Sequence, residues 1–144
     1  MGQREDGMQE IENRCNPLFA SIPLKYLKRS PSTPVGRDEM PCVLIMEGSD
    51  PIYKRGGRTY QGYPCKRTLS VIIECWDLST DEGGDVKAIA NEVRRVVLAE
   101  DGVLVGRVKI REEDAAGPYN LGIPNIEGFR VIFSMPYIDD GPAF

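Results

Sequence analysis

Lys66-Arg67-Thr68-Leu69-Ser70-Val71-Ile72-Ile73-Glu74-Cys75-Trp76-Asp77 decides the reading of the whole chain. Leu69, Val71, Ile73 and Cys75 fall on one side of it. Thr68, Ser70, Ile72, Glu74 and Trp76 fall on the other, the period of two of a strand with one face on a core. What covers that face follows directly. Val86, Ile89, Ala90, Val93, Val96 and Val97 make one stripe at helical period, with Lys87, Glu92, Arg94 and Arg95 on the outer face. Ser79 or Asp85 can cap the start of this helix, and Asp101-Gly102 stops it. Its valines lose tenths of a kcal/mol in propensity, which burial of the stripe outweighs.

Working outward, Pro41-Cys42-Val43-Leu44-Ile45-Met46-Glu47 is an unbroken apolar run of strand length. Apolar residues on both faces place it in the interior of a sheet. Gly128 to Tyr137 alternates again, with Phe129, Val131, Phe133, Met135 and Tyr137 opposite Arg130 and Ser134; Pro136 suggests an edge or a strand end. Val103 to Arg111 is predicted as one further strand, with Leu104, Val108 and Ile110 on its inner side. Glu112 to Glu127, with Gly117-Pro118, Gly122 and Pro124, reads as a long loop. Ile52 to Tyr60 reads as a β-hairpin or long loop turned at Gly56-Gly57. Residues 17 to 29 carry Leu18, Phe19, Ile22, Leu24 and Leu27 around Pro23, a short helix or an irregular packed segment. The expected fold is α+β: a mostly antiparallel sheet of about four to five strands with one to two helices on one face. Residues 1–16 are expected to be a flexible or polar tail, 17–138 a single domain, and 139–144 a C-terminal tail.

Composition restricts function. The 144 residues suit one domain, and 41% hydrophobic with 28% charged residues is ordinary for a soluble globular chain. The charged N-terminus has no apolar signal segment, and no run reaches membrane-spanning length. There is no histidine, which removes every Ser–His or Cys–His pair and the commonest metal ligand. The four cysteines (Cys15, Cys42, Cys65, Cys75) lack metal-ligand spacing and are expected to be reduced and structural. The acidic runs Glu112-Glu113-Asp114 and Asp139-Asp140 read as solvated surface. No catalytic, cofactor or metal site is expected. A net charge of −4 argues against a duplex-binding domain.

One segment stands out. Residues 53 to 67 hold Lys54, Arg55, Arg58, Lys66 and Arg67 with no acid, interleaved with Tyr53, Tyr60 and Tyr63. Tyrosine and arginine anchor protein interfaces, while basic and aromatic residues together can also track single-stranded nucleic acid. A solvated hairpin whose tyrosines pack on the sheet is the third reading.

Three stretches carry a family resemblance. The first is Met40 to Gly48, a proline leading into an apolar strand that closes on Glu47-Gly48. The second is the strand Arg67 to Trp76, running through a short acidic linker into the helix Asp85 to Leu98. The third is the closing Gly128 to Tyr137. In this order, over about residues 17 to 138, the chain resembles the tail terminator (tail completion, minor tail) proteins of long-tailed bacteriophages or prophages. The N-terminal amphipathic helix expected of that family is interrupted here at Pro23, and the basic hairpin is longer. The resemblance implies a structural virion protein of the tail, assembled in the host cytoplasm. Such proteins form a ring, typically of six subunits, that caps the tail tube, stops its growth and offers a docking surface for the head. The implied partners are further copies of the chain, the tail tube protein and a connector or neck protein; neither a membrane nor a specific nucleic acid is expected. Related head–tail joining proteins, or a small nucleic-acid-binding module using 53–67, are the alternatives. A ring needs two different complementary patches. The expected interface sets Tyr53, Arg55, Arg58, Tyr60, Lys66 and Arg67 against an acidic patch on the neighbour or the tube, with Glu112, Glu113 and Asp114 as its acids.

Overall fold

The alternating run is β5 (Cys65–Leu78), a 14-residue strand, and its predicted inner residues Leu69, Val71, Ile73 and Cys75 are wholly buried. The chain is described by a computed structural model over residues 2–31, 35–52, 54–55, 58–59, 64–120 and 125–140, with the backbone alone at 54–55 and 58–59. β5 pairs antiparallel with β2 (Cys42–Glu47) on one side and with β9 (Ile126–Asp139) on the other. β1 (Tyr26–Arg29) lies parallel to β2, and β8 (Arg111–Asn120) antiparallel to β9, giving a mixed five-stranded order β1-β2-β5-β9-β8. β3 (Lys54–Arg55) pairs antiparallel with β4 (Arg58–Thr59), and the turn expected at Gly56-Gly57 lies outside the described residues.

Helix α3 (Val86–Val97) sits on one face of this sheet and buries Val86, Ile89, Ala90, Val93 and Val97, as its stripe requires. Of the two caps considered, Asp85 is the one used: its carboxylate accepts from the Ala88 amide at 3.2 Å. Beside α3 lies α1 (Gln3–Cys15). Residues 1–16 are therefore not a tail. Met8, Ile11 and Cys15 recur at i, i+3, i+7 and are wholly buried against the sheet, so α1 belongs to the core. Gly7 lets it come close: a β-carbon there would stand 2.6 Å from Met135 Sδ on β9. Pro23 breaks no helix: α1 and the short α2 (Leu18–Ser21) both end before it.

Rows of apolar residues run across the covered face in register, such as Ile45, Ile73 and Val131. The opposite face carries a smaller cluster at one end: Val35, Met40, Cys42, Leu44 and Ile126, with Tyr26, Trp76 and Leu78 against it. β2 feeds both clusters, which is why it reads as a continuous apolar run.

Two stretches differ from expectation. Val103 to Arg111 is not one strand. Gly106, at φ +55, turns β6 (Val103–Val105) back onto β7 (Val108–Lys109) in a small hairpin whose Leu104 and Val108 enter the core, as does Ile110 beyond it. Residues 112–120 are not loop either, since β8 pairs through them with β9, with bulges between Glu112 and Asp114 and between Ala116 and Tyr119. Pro136 does not make β9 an edge strand. The Ile138 amide, two residues on, donates sideways to Gln3 Oε1 at 2.8 Å, and β8 pairing stops at Ser134. Alternate amides share a side, so the nitrogen of Pro136 faces the open flank beyond β8.

Candidate assembly surface

Ion pairs gather at one end of the sheet. Arg29 on β1 forks onto Glu5 of α1 at 2.6 and 2.7 Å and reaches Glu47 of β2 at 3.0 Å. Glu47 also meets Arg4 at 3.3 Å, and Arg4 meets Asp50 at 3.2 Å. Asp50 takes a 2.6 Å hydrogen bond from the Tyr137 hydroxyl. Arg67 closes the series, donating to Asp139 at 2.7 Å and to the Asp50 carbonyl at 3.0 Å. The hydrogen bond from Arg29 holds the Glu5 carboxyl below its ordinary range. Burial and the bond to Asp50 push the Tyr137 hydroxyl up, so it remains a donor rather than a base. Each of these groups ties one element to another: α1, β1, β2, β5 and β9 are fastened here.

Arg67, one of the expected interface residues, is thereby engaged within the fold. Lys66, its neighbour, is exposed. Arg55 and Arg58 stand opposite each other in the β3–β4 ladder. Tyr53 and Tyr60 lie outside the described residues.

The acidic run is an edge, not a loop. All three acids of β8 are exposed. Glu112 meets Arg94 of α3 at 2.9 Å, and Arg94 also lies 5.2 Å from the Phe129 ring centre. Glu113 accepts from the Ser134 hydroxyl at 2.7 Å and pairs with Arg111 at 2.7 Å, which together hold its carboxyl below the usual range. Asp114 accepts only from the Ala115 amide, at 2.8 Å, and meets no cation among the described residues. Among the described residues, Lys66 and Arg67 do not meet these acids within one molecule: they sit on β5, which β9 separates from β8.

Sequence reasoning missed three residues that set this geometry. Asp77, 8% exposed, accepts from the Leu78 amide at 2.7 Å and the Asp85 amide at 2.9 Å, and so joins β5 to the start of α3. Arg14 of α1 donates to the carbonyls of Val97 (3.1 Å), Ala99 (2.7 Å) and Val103, capping the C-terminus of α3. Lys28 stands exposed on β1, a strand absent from the sequence reading. Asp77 ends an alternating strand, and its position just before a polar turn was the one available signal.

Among the described residues no helix is long and apolar enough to cross a membrane. No protein-family model matches this chain, and no curated protein does. Among solved structures, a chain from the "virion of native gene transfer agent (GTA) particle" matches with a TM-score of 0.56 at 12% identity, covering 96% of this chain and 96% of that one. The two chains share a fold. At 12% identity the likeness extends no further than the backbone arrangement, but it runs nearly end to end in both chains.

Proposed function

We propose that this protein is a structural component of a phage-like virion, and that it forms a ring that caps the tail tube, stops its elongation and presents a surface to the head. The observation that carries this reading is the end-to-end fold match with a virion chain of equivalent extent. Supporting it are the order of strand and helix segments shared with tail terminator proteins and the absence of histidine from the sequence. The ionic groups at the sheet end fasten elements to one another, which is the work of a building block and not of a catalyst. The basic ladder with Arg55 and Arg58, together with exposed Lys66, is assigned to the tail tube, and the acidic edge Glu112-Glu113-Asp114 to a neighbouring copy.

Light scattering on the purified protein, with negative-stain images of the same fractions, tests the reading. The expected species has near six times the 16.0 kDa chain mass and appears as rings with a central hole. Arg55→Glu with Arg58→Glu is expected to leave the ring intact and abolish its binding to isolated tail tubes. A protein that closes into no ring, alone or on tube ends, would overturn the proposal.

A further inference from the structure

The sheet ends on two edge strands of unlike charge. β1 is one edge and β8 the other. Lys25 and Lys28 stand exposed in and beside β1, and among the described residues neither meets a carboxylate. Along β8 stand Glu112, Glu113 and Asp114, the last without a cationic partner among the described residues. An edge strand presents N–H and C=O groups that can template the addition of another strand. We infer that β8 of one copy adds antiparallel to β1 of the next, so that one sheet runs from copy to copy around the ring. The inference rests on the ring reading above and names its contact.

The polarity works. β1 and β2 are parallel, and the sense then reverses at β5, at β9 and at β8. Within one copy β8 therefore runs opposite to β1. A rotation about an axis lying along the strands keeps the sense of every strand, so β8 meets the next copy's β1 antiparallel. Such a contact is heterologous and can close into a ring.

The charges select this pairing over the alternatives. β8 against β8 would set acid on acid, and β1 against β1 lysine on lysine; unlike edges alone attract. The bulges of β8 leave Asp114–Ala116 as a regular stretch between them, which suits a partner as short as the four-residue β1. Both edges are also fixed before they meet. Arg29 ties β1 to Glu5 and Glu47, while Arg94 and Arg111 hold Glu112 and Glu113. Association then orders few side chains.

A paired charge swap tests it. One variant carries Lys25→Glu and Lys28→Glu, so both its edges are acidic. The other carries Asp114→Lys and Ala116→Lys, so both its edges are basic; none of the four positions takes part in an ion pair within the described fold. Circular dichroism and thermal melts confirm that each folds. By light scattering and negative stain, each variant alone is expected to be monomeric where the wild type is assembled, about tenfold or more weaker per contact. The equimolar mixture is expected to regain rings of alternating copies. Rings from either variant alone, or no recovery on mixing, would overturn the edge pairing while leaving the cap reading intact. Open filaments from wild type and mixture alike would uphold the pairing and overturn the cap. A wild type that stays monomeric at its highest soluble concentration would overturn the pairing, and the cap reading would then be decided on tail-tube ends.

Discussion

Gly84 has the least room of the described glycines. A β-carbon on it would lie 1.7 Å from the Leu78 carbonyl oxygen and 2.6 Å from its carbon, both backbone atoms of the β5 terminus. The chain cannot yield there without moving the carboxylate of Asp77, which holds the Leu78 and Asp85 amides. Gly84→Ala is therefore expected to cost about 3 kcal/mol, at the upper end for overpacking, read as a lowered urea midpoint at unchanged m-value. The cysteines respond to burial in a different way. All four are free and buried. Burial pushes the thiols of Cys15 and Cys42 up to about 12, and Cys75 is raised further still. Thiolate is the reactive form. A thiol reagent at pH 8 is thus expected to leave Cys15, Cys42 and Cys75 essentially unlabelled in the native protein and to titrate all four sites in denaturant; fast labelling of Cys15 or Cys42 in the native state would contradict their described environment.

Arg14 does for two helices what Asp77 does for a strand and a helix. From α1 it reaches three carbonyls at the end of α3 and the turn beyond, and it pairs with Glu10 at 3.1 Å. Its guanidinium fork can serve several acceptors at once, and a lysine cannot. Arg14→Ala is expected to lose about 2 kcal/mol, the scale of hydrogen bonds from a charged donor, and Arg14→Lys to recover less than half of that in thermal or urea unfolding. This joint also shows which elements the sequence makes legible. β5, α3 and β9 each carry a full apolar face, so their period announces them. α1 buries a narrow stripe of Met8, Ile11 and Cys15 amid charge, and its contact with β9 uses Gly7, a residue that reads as a helix breaker. β8 is exposed along nearly its whole length, because an edge strand needs only one neighbour and β9 supplies the apolar side of the pair. The acids at 112–114 are therefore visible in sequence as surface, but their place on an edge is not. For Arg67 the sequence shows only basic neighbours, and its ion pair with Asp139 becomes visible only in the β5–β9 pairing that brings the two together.

At the scale of the whole molecule, the ionic network makes stability depend on pH at both extremes. Glu5, Arg29, Glu47, Arg4 and Asp50 link α1 to one flank of the sheet, and Tyr137 and Arg67 link the other. The carboxyl of Glu5 is held below its ordinary value of 4.5 when folded, so the unfolded chain binds its proton first as pH falls. Its contribution is then fully present above that ordinary value and is lost as pH drops through the depressed one. Tyr137 has the opposite sign at the alkaline end. Its hydroxyl is raised in the fold from an ordinary 10.0, so the folded chain keeps the proton longer, and stability falls as pH rises above that value. Urea midpoints of wild type and Glu5→Gln should accordingly differ at neutral pH and converge as pH falls below 4.5 and through the depressed folded-state value, where the wild-type carboxyl becomes protonated in both states. Tyr137→Phe should flatten the alkaline limb above about pH 10 and leave the acid limb unchanged. Because Glu5 is 40% exposed, added salt should also shrink the neutral-pH difference for Glu5→Gln. The Tyr137→Phe difference should respond less, since Tyr137 is only 6% exposed and screening acts weakly on buried partners. Identical urea midpoints for wild type and Glu5→Gln at neutral pH would mean that Arg29, held also by Glu47, fastens β1 without help from α1.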